Sequence, residues 1–343
     1  MWQKFSSILA VAKRSAAGAP LRFFVSLEDI KALRSLSAAP ISDCKKALQA
    51  TNSMSQAMDW LRERGAAKSF QLQKSGRAAE EGLVAVHAPS DNDASILHAV
   101  CETDFVQRNS LFQAYLNDVV ASALCHQVPS TGASGFHDID TNFLLNLPLD
   151  SNGKHRGALA GLALADLVGK VRENISLRKA ARIDAFPGIV GSYVHGCVNK
   201  AQYPGLGKAA AVVAVGVGVE EQSKIVLPEK IVEGVLRPFA KKLAMHIVAA
   251  KPKYVDENSI PVDILESERI FLLKQEAMNG SERSDDILKR VINGRMKKFI
   301  SQVTLLHQSH LIEPQSPEVS QVLADVSKAA GVPLYIKGFV LLP

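Results

Sequence analysis

The 343-residue sequence predicts an α+β protein: a small N-terminal three-helix module, a two-part α+β core with antiparallel sheets, and an inserted helical hairpin. Two observations carry that prediction. The order strand, strand, helix occurs twice after residue 81, and capped helical patterns cluster before residue 68 and after residue 260. Apolar residues make up 47% of the chain and charged residues 22%, a balance that supports a sizeable core. The longest apolar runs, such as Ala209 to Val219, fall short of the ~18 residues that cross a bilayer, so no membrane partner is expected.

Residues 1–25 read as a targeting presequence. Lys4, Lys13, Arg14 and Arg22 precede the first acid, Glu28, and Trp2, Phe5, Ile8, Leu9 and Ala12 share one side of a helical wheel. This composition points to the mitochondrial matrix, with cleavage between Arg22 and Ser26. The leader also explains most of the net charge of +6: without its four bases, 36 basic residues face 34 acidic ones, a net of +2. So small an excess argues against direct nucleic-acid binding. Four cysteines without a CxxC pair suggest neither a disulfide framework nor a cysteine zinc cluster.

Residues 26–68 form the helical module. Ser26 caps a helix from Leu27 whose Leu27, Ile30, Leu33 and Leu36 recur at a spacing of three, and Pro40 precedes a second helix with Ala47 and Leu48. A third opens with the capping-box pair Ser53 and Gln56, presents Met54, Ala57, Met58 and Leu61, and ends at Gly65. Polar residues 69–81 read as a linker.

The first half of the core, residues 82–190, starts with a hairpin of Gly82 to Ala88 and Ala94 to Cys101. A loop, Glu102 to Asn109, leads to a helix capped by Ser110 with Gln113 and continuing through Leu111, Tyr115, Val119 and Leu124. Pro129 to Lys154 reads as a surface excursion, and Ala158 to Asn174 as a helix. The second half, residues 191–343, pairs Gly191 to Cys197 with Ala209 to Val219 around a turn at Pro204-Gly205-Leu206-Gly207, followed by a helix from Pro228 to Ala250. A hairpin at about 260–303 has arms Ile264 to Met278, ending at Asn279-Gly280, and Ser284 to Val303. Its second arm aligns Ile287, Leu288, Val291, Ile292, Phe299, Ile300 and Val303, and such a projection suits self-association. Pro333 to Leu342 reads as a final strand.

No HExxH, GxSxG or H-x-E with a cysteine pair is present. His307 and His310 lack further ligands and read as surface or capping residues. Gly216-Val217-Gly218 lacks the third glycine of a dinucleotide site, and Gly205-Leu206-Gly207-Lys208 lacks the spacing of a phosphate loop. An organellar enzyme with a cofactor near Gly207 to Gly218 remains the alternative function; otherwise no catalytic residue, metal or cofactor is expected. Phe105, among the polar residues Glu102 to Asn109, has two physical readings. It either folds back into the core or projects as an anchor for another protein, rimmed by Asp104 and Arg108.

Several blocks together resemble the translation elongation factor Ts family: Asp43 to Leu48, Thr103 to Val106, Gly169 to Ile175, Gly191 to Gly196, Ala244 to His246 with Ala250 to Pro252, and Gly294 to Phe299. They run in family order across residues 26–343. The resemblance implies a guanine nucleotide exchange factor, not an enzyme, that binds the GTPase elongation factor Tu and speeds GDP release. It implies a UBA-like N-terminal module, contacts to the GTPase domain through Thr103, Asp104, Phe105 and Val106 and through Arg34, Ile41 and Ser42, and a weaker candidate at His195. Here Ser37-Ala38-Ala39-Pro40 departs from the glycines usual before the second helix, and Ile41 and Ser42 replace larger apolar residues.

Overall fold

The computed structural model describes residues 25–37, 39–51, 53–61, 63–64, 79–126, 135–149, 155, 157–218, 228–278 and 285–343. The chain divides into two compact units, Met1–Gly65 and Ala66–Pro343. The presequence assigned to residues 1–25 lies outside the described residues but for Val25, and so does most of the 69–81 linker.

In the first unit, α1 (Leu27–Ser37) and α2 (Ile41–Ala50) precede α3 (54–61). Ser26 caps α1 through a bond from the Asp29 amide at 3.0 Å, and Ser53 caps α3 through the Gln56 amide at 3.2 Å. Leu33, Cys44, Ala47 and Ala57 form the centre, with Ile30, Met54, Met58 and Leu61 against it. The expected stripe on α1 is only half realised: Leu27 is 73% exposed and Leu36 67%. A spacing of three falls short of 3.6 and drifts about 60° per step, so residues nine apart lie on opposite sides of the helix. Gly65, the expected end of α3, is outside the described residues.

The second unit is a four-layer stack of helices, sheet, sheet and helices. A five-stranded antiparallel sheet has the order β3-β4-β2-β1-β6, built from β1 (Glu81–His87), β2 (Asp93–Cys101), β3 (Phe136–Ile139), β4 (Ile175–Asp184) and β6 (Leu206–Gly207). A three-stranded antiparallel sheet orders β5 (Gly188–His195), β7 (Ala209–Val217) and β8 (Leu334–Leu342) as β5-β7-β8. Period two assigns the faces. Leu83 and Ala85 of β1 meet α5 (Ser110–Cys125) and α7 (Ala160–Val171), whereas Val84 faces the second sheet. Along β7, Ala210, Val212 and Ala214 face the first sheet, and Ala211, Val213 and Val215 face α9 (Arg237–Ala250) and α12 (Val319–Ala330). Both faces of β7 are therefore buried, which is why its sequence is a continuous apolar run.

Several expected boundaries and roles change. The strand at Glu81 begins inside the expected linker, and β5 starts at Gly188 rather than Gly191. The cap of α5 is Asn109, whose side chain accepts from the Leu111 amide at 2.9 Å, not Ser110. The expected excursion is not confined to the surface: its described part supplies edge strand β3 and α6 (Thr141–Leu145), and it buries Ile139, Leu144, Leu147 and Leu149. A helical turn (α8, Glu229–Ile231) and a π-helical turn at Val232–Leu236 lead into α9. The hairpin comprises α10 (Val262–Met278) and α11 (Asp285–Val303); its expected tip at 279–284 lies outside the described residues. Within the expected α11 stripe, Ile292 is buried whereas Ile287 is exposed. No described helix is long and apolar enough to cross a membrane.

Candidate protein-interaction site

The segment between β2 and α5 is a single helical turn, α4 (Asp104–Gln107). At about 100° per residue, one turn sends two consecutive side chains inward and the rest outward. Val106 and Gln107 point in and are buried, whereas Phe105 points out and is 78% exposed. The core reading of Phe105 is thereby excluded. Asp104 and Arg108 flank the ring and pair with each other at 3.3 Å. Of the four residues Thr103 to Val106, Asp104 and Phe105 face outward, Val106 anchors the turn in the core, and Thr103 ties it down.

The bracing comes from remote parts of the chain. Thr103 donates from its amide to Glu173 Oε2 at 2.9 Å and from its hydroxyl to Glu173 Oε1 at 2.7 Å. Glu173 is placed by Arg172, which ends α7 in the left-handed region at φ 61° and turns the chain back. Glu102 accepts from the Asn174 amide at 2.7 Å. On the other side, Gln107 Nε2 donates to Glu81 Oε2 at 2.6 Å, and Gln113 Nε2 donates to the Gln107 carbonyl at 2.8 Å. Under the turn, burial and then the carboxylates of Glu173 and Glu81 push the Cys101 thiol up to about 12, so it stays neutral and unreactive.

Glu81 also faces Lys208 at 3.8 Å, and the Lys208 amide donates to the His195 carbonyl at 2.8 Å. His195 ends β5 exposed, its ring near Tyr193, and is linked to the α4 turn through its carbonyl bond to Lys208 and the Lys208–Glu81–Gln107 contacts. Asn199, in the loop after β5, donates to Gln113 at 3.3 Å and extends that connection. Glu81, Gln107, Glu173 and Lys208 were not singled out from sequence. Glu173 sits in the Gly169 to Ile175 block, whose charged end was the available signal. In the separate N-terminal unit, Arg34, Ile41 and Ser42 are all exposed.

The Gly207 to Gly218 region is occupied by packing. Gly207 backs onto Val194 and His195, Gly216 lies under the Tyr335 ring, and β7 is paired on both edges. Of the two histidines read as surface or capping residues, His307 is exposed, whereas His310 is fully buried, accepts from the Ile312 amide at 3.2 Å and holds its ring 5.1 Å from that of His246. Among the described residues, no group of three or more His, Cys, Asp or Glu is placed to hold a metal.

The chain is thus an α+β protein that presents an exposed aromatic residue, Phe105, on a turn braced from beneath by its core. Comparison with known proteins is specific. The family profile described as Elongation factor TS matches residues 102–342. Over 316 residues, 92% of this chain and 91% of each relative, the sequence is 33% identical to Elongation factor Ts of Brucella ovis and of Brucella melitensis biotype 1. It is 31% identical over 317 residues to Elongation factor Ts of Bartonella tribocorum, with coverage of 92% and 91%. The chain belongs to the elongation factor Ts family.

Proposed function

We propose that this protein is the guanine nucleotide exchange factor for elongation factor Tu in organellar translation, and that it promotes GDP release by inserting the Asp104-Phe105 turn into the GTPase domain. The observation that carries the proposal is the 78% exposure of Phe105 on a turn tied down by Glu173 and Glu81. An exposed ring on a flexible loop would lose much of its docking energy to ordering; a braced one loses little. Exchange needs no acid, base or ligand from this chain. It needs a surface that binds nucleotide-free partner more tightly than nucleotide-bound partner, and by reciprocity such a surface weakens nucleotide binding by the same factor. Thr103 and Val106 position the turn, His195 adds a weaker contact, and Arg34, Ile41 and Ser42 supply a second contact to the GTPase domain. The basic, acid-free leader supports import into the mitochondrial matrix.

Mixing the protein with elongation factor Tu loaded with fluorescent GDP tests the activity. Release should accelerate in proportion to added protein, and no acceleration at stoichiometric excess refutes the reading. A fusion of residues 1–25 to a fluorescent protein tests the address separately; cytosolic fluorescence refutes it and leaves exchange untouched.

A further inference from the structure

The flank of the two-sheet stack opens between the edge strands β3 and β8 into a groove of about 560 Å³. Five consecutive residues of β8, 337–341, line it. Successive side chains of a strand point to opposite faces, so a groove touched by five in a row meets the strand along its edge, where the backbone groups lie. β8 pairs with β7 alone, which leaves that edge without a strand partner among the described residues. The groove is also basic. Lys179 of β4, Lys253 after α9 and Lys337 of β8 line it against one carboxylate, Asp138. Phe136 and Phe339 supply aromatic surface.

Protection against unwanted pairing explains part of this arrangement. Folded proteins guard free edges with lysines and bulges. At Lys337 the β7 register shifts, Ala214 facing Gly338 and Val215 facing Ile336, and the Lys337 ammonium donates to the Phe186 carbonyl at 2.8 Å. Protection does not explain Lys179 and Lys253. They come from other elements, are exposed, and have no ion pair among the described residues.

We propose that this groove binds an extended acidic peptide of another protein, added as a fourth strand along the free edge of β8, with its carboxylates on Lys179 and Lys253. Five residues of strand offer roughly 17 Å of edge, enough to hold a short segment by its main chain. Edge pairing favours a peptide over a nucleotide, whose phosphates would use the lysines and leave the strand edge unused.

The probe is a fluorescein-labelled heptapeptide of alternating glutamate and valine, titrated into the full chain and followed by anisotropy. Saturable binding that weakens with salt is expected. Lys179→Glu with Lys253→Glu should weaken it roughly tenfold, since each exposed charge contact contributes a factor of about two to five. Should that variant melt lower than the parent, Lys179→Gln with Lys253→Gln serves instead. Peptides N-methylated on alternate nitrogens in either register complete the test, because only one register directs its N–H groups at β8. Loss in one register alone supports strand addition. Equal behaviour of both registers, undiminished binding to the lysine variant, or no saturable peptide binding, including the case where only ATP binds, overturns the proposal. Elongation factor Tu is absent from the assay, so failure here leaves the exchange reading intact.

Discussion

Replacing Phe105 by alanine removes an aromatic ring that the fold barely uses. The residue is 78% exposed, so about a fifth of it is covered by the chain. Full burial of a phenylalanine is worth ~1.5 to 3 kcal/mol, and a fifth of that is about 0.3 to 0.7 kcal/mol. For a chain of this size the melting temperature should fall by only about 1 to 3 °C. At a protein interface the same truncation costs ~2 kcal/mol or more when the ring is a central anchor, which corresponds to a roughly 30-fold slower exchange reaction. The assay measures both quantities on one preparation: the melting curve by circular dichroism, and stimulated release of fluorescent GDP from elongation factor Tu. The expected result is near-parental melting with exchange reduced by an order of magnitude or more. A melting drop of about 6 °C or more would mean that the ring does core work, where loss costs ~3 to 5 kcal/mol. Parental melting with parental exchange would remove the turn from the mechanism.

Glu173→Ala takes both acceptors from Thr103, so amide exchange at Thr103 should quicken at least about tenfold, as expected for loss of hydrogen bonds to a charged group, and GDP release should slow with it. Unchanged Thr103 protection would show that Glu173 does not brace the turn. Excising Ile264 to Lys298 with a short Gly/Ser link should leave a cooperatively melting core, because Leu272, Glu276 and Ile292 are the buried ones among the described residues of that stretch and Glu276 pairs within it with Arg295 at 2.6 Å. Sedimentation then reports whether self-association changes, and failure to obtain soluble protein would make the hairpin part of the core. His246 and His310 give a pH signature. Burial lowers both, His310 to about 4, where the His246 charge opposes it further. The folded state therefore prefers neutral rings, and between pH 6.5 and 4 the unfolded chain binds more protons. Stability should be full above pH 6.5 and fall by about 1.4 kcal/mol per pH unit through that window for His310 alone. Lys242 and Glu313, paired at 2.9 Å, are the neighbouring charges. His310→Asn, able to accept from the Ile312 amide as Nδ1 does, should flatten the denaturant-measured slope; an unaltered slope would assign the titration elsewhere.

Helices with local start signals were readable from sequence because a cap and a stripe sit within a few residues of each other. Ser26 and Ser53 each bond the amide three residues on. Several elements carried no local start signal of this kind, β4, β3 and α12 among them, for different reasons. β4 has no clean alternation because the register shifts between His98 and Ala99 and leaves Arg178 as an extra residue beside Lys179, both exposed. β3 is four residues long and stands alone before α6, too short for a period. α12 does carry Val319, Val322, Leu323 and Val326 at helical spacing, a stripe present in the sequence itself.

The site divides the same way. Thr103 to Val106 was identifiable as a block, but no local pattern states whether Phe105 turns in or out. That choice is made by partners distant in sequence: Glu173 is 70 residues from Thr103, and Glu81 is 26 from Gln107. Both pull the residues flanking Phe105 toward the core. With Val106 and Gln107 already inward, a helical turn has one direction left for the ring between them and Asp104. Exposure of Phe105 is thus a tertiary consequence, dictated by hydrogen bonds to its neighbours and by the burial of Val106 and Gln107. It follows that a variant at Glu173 or Glu81 should impair docking without altering any atom of the docking surface, whereas a ring drawn outward by its own chemistry would be indifferent to both.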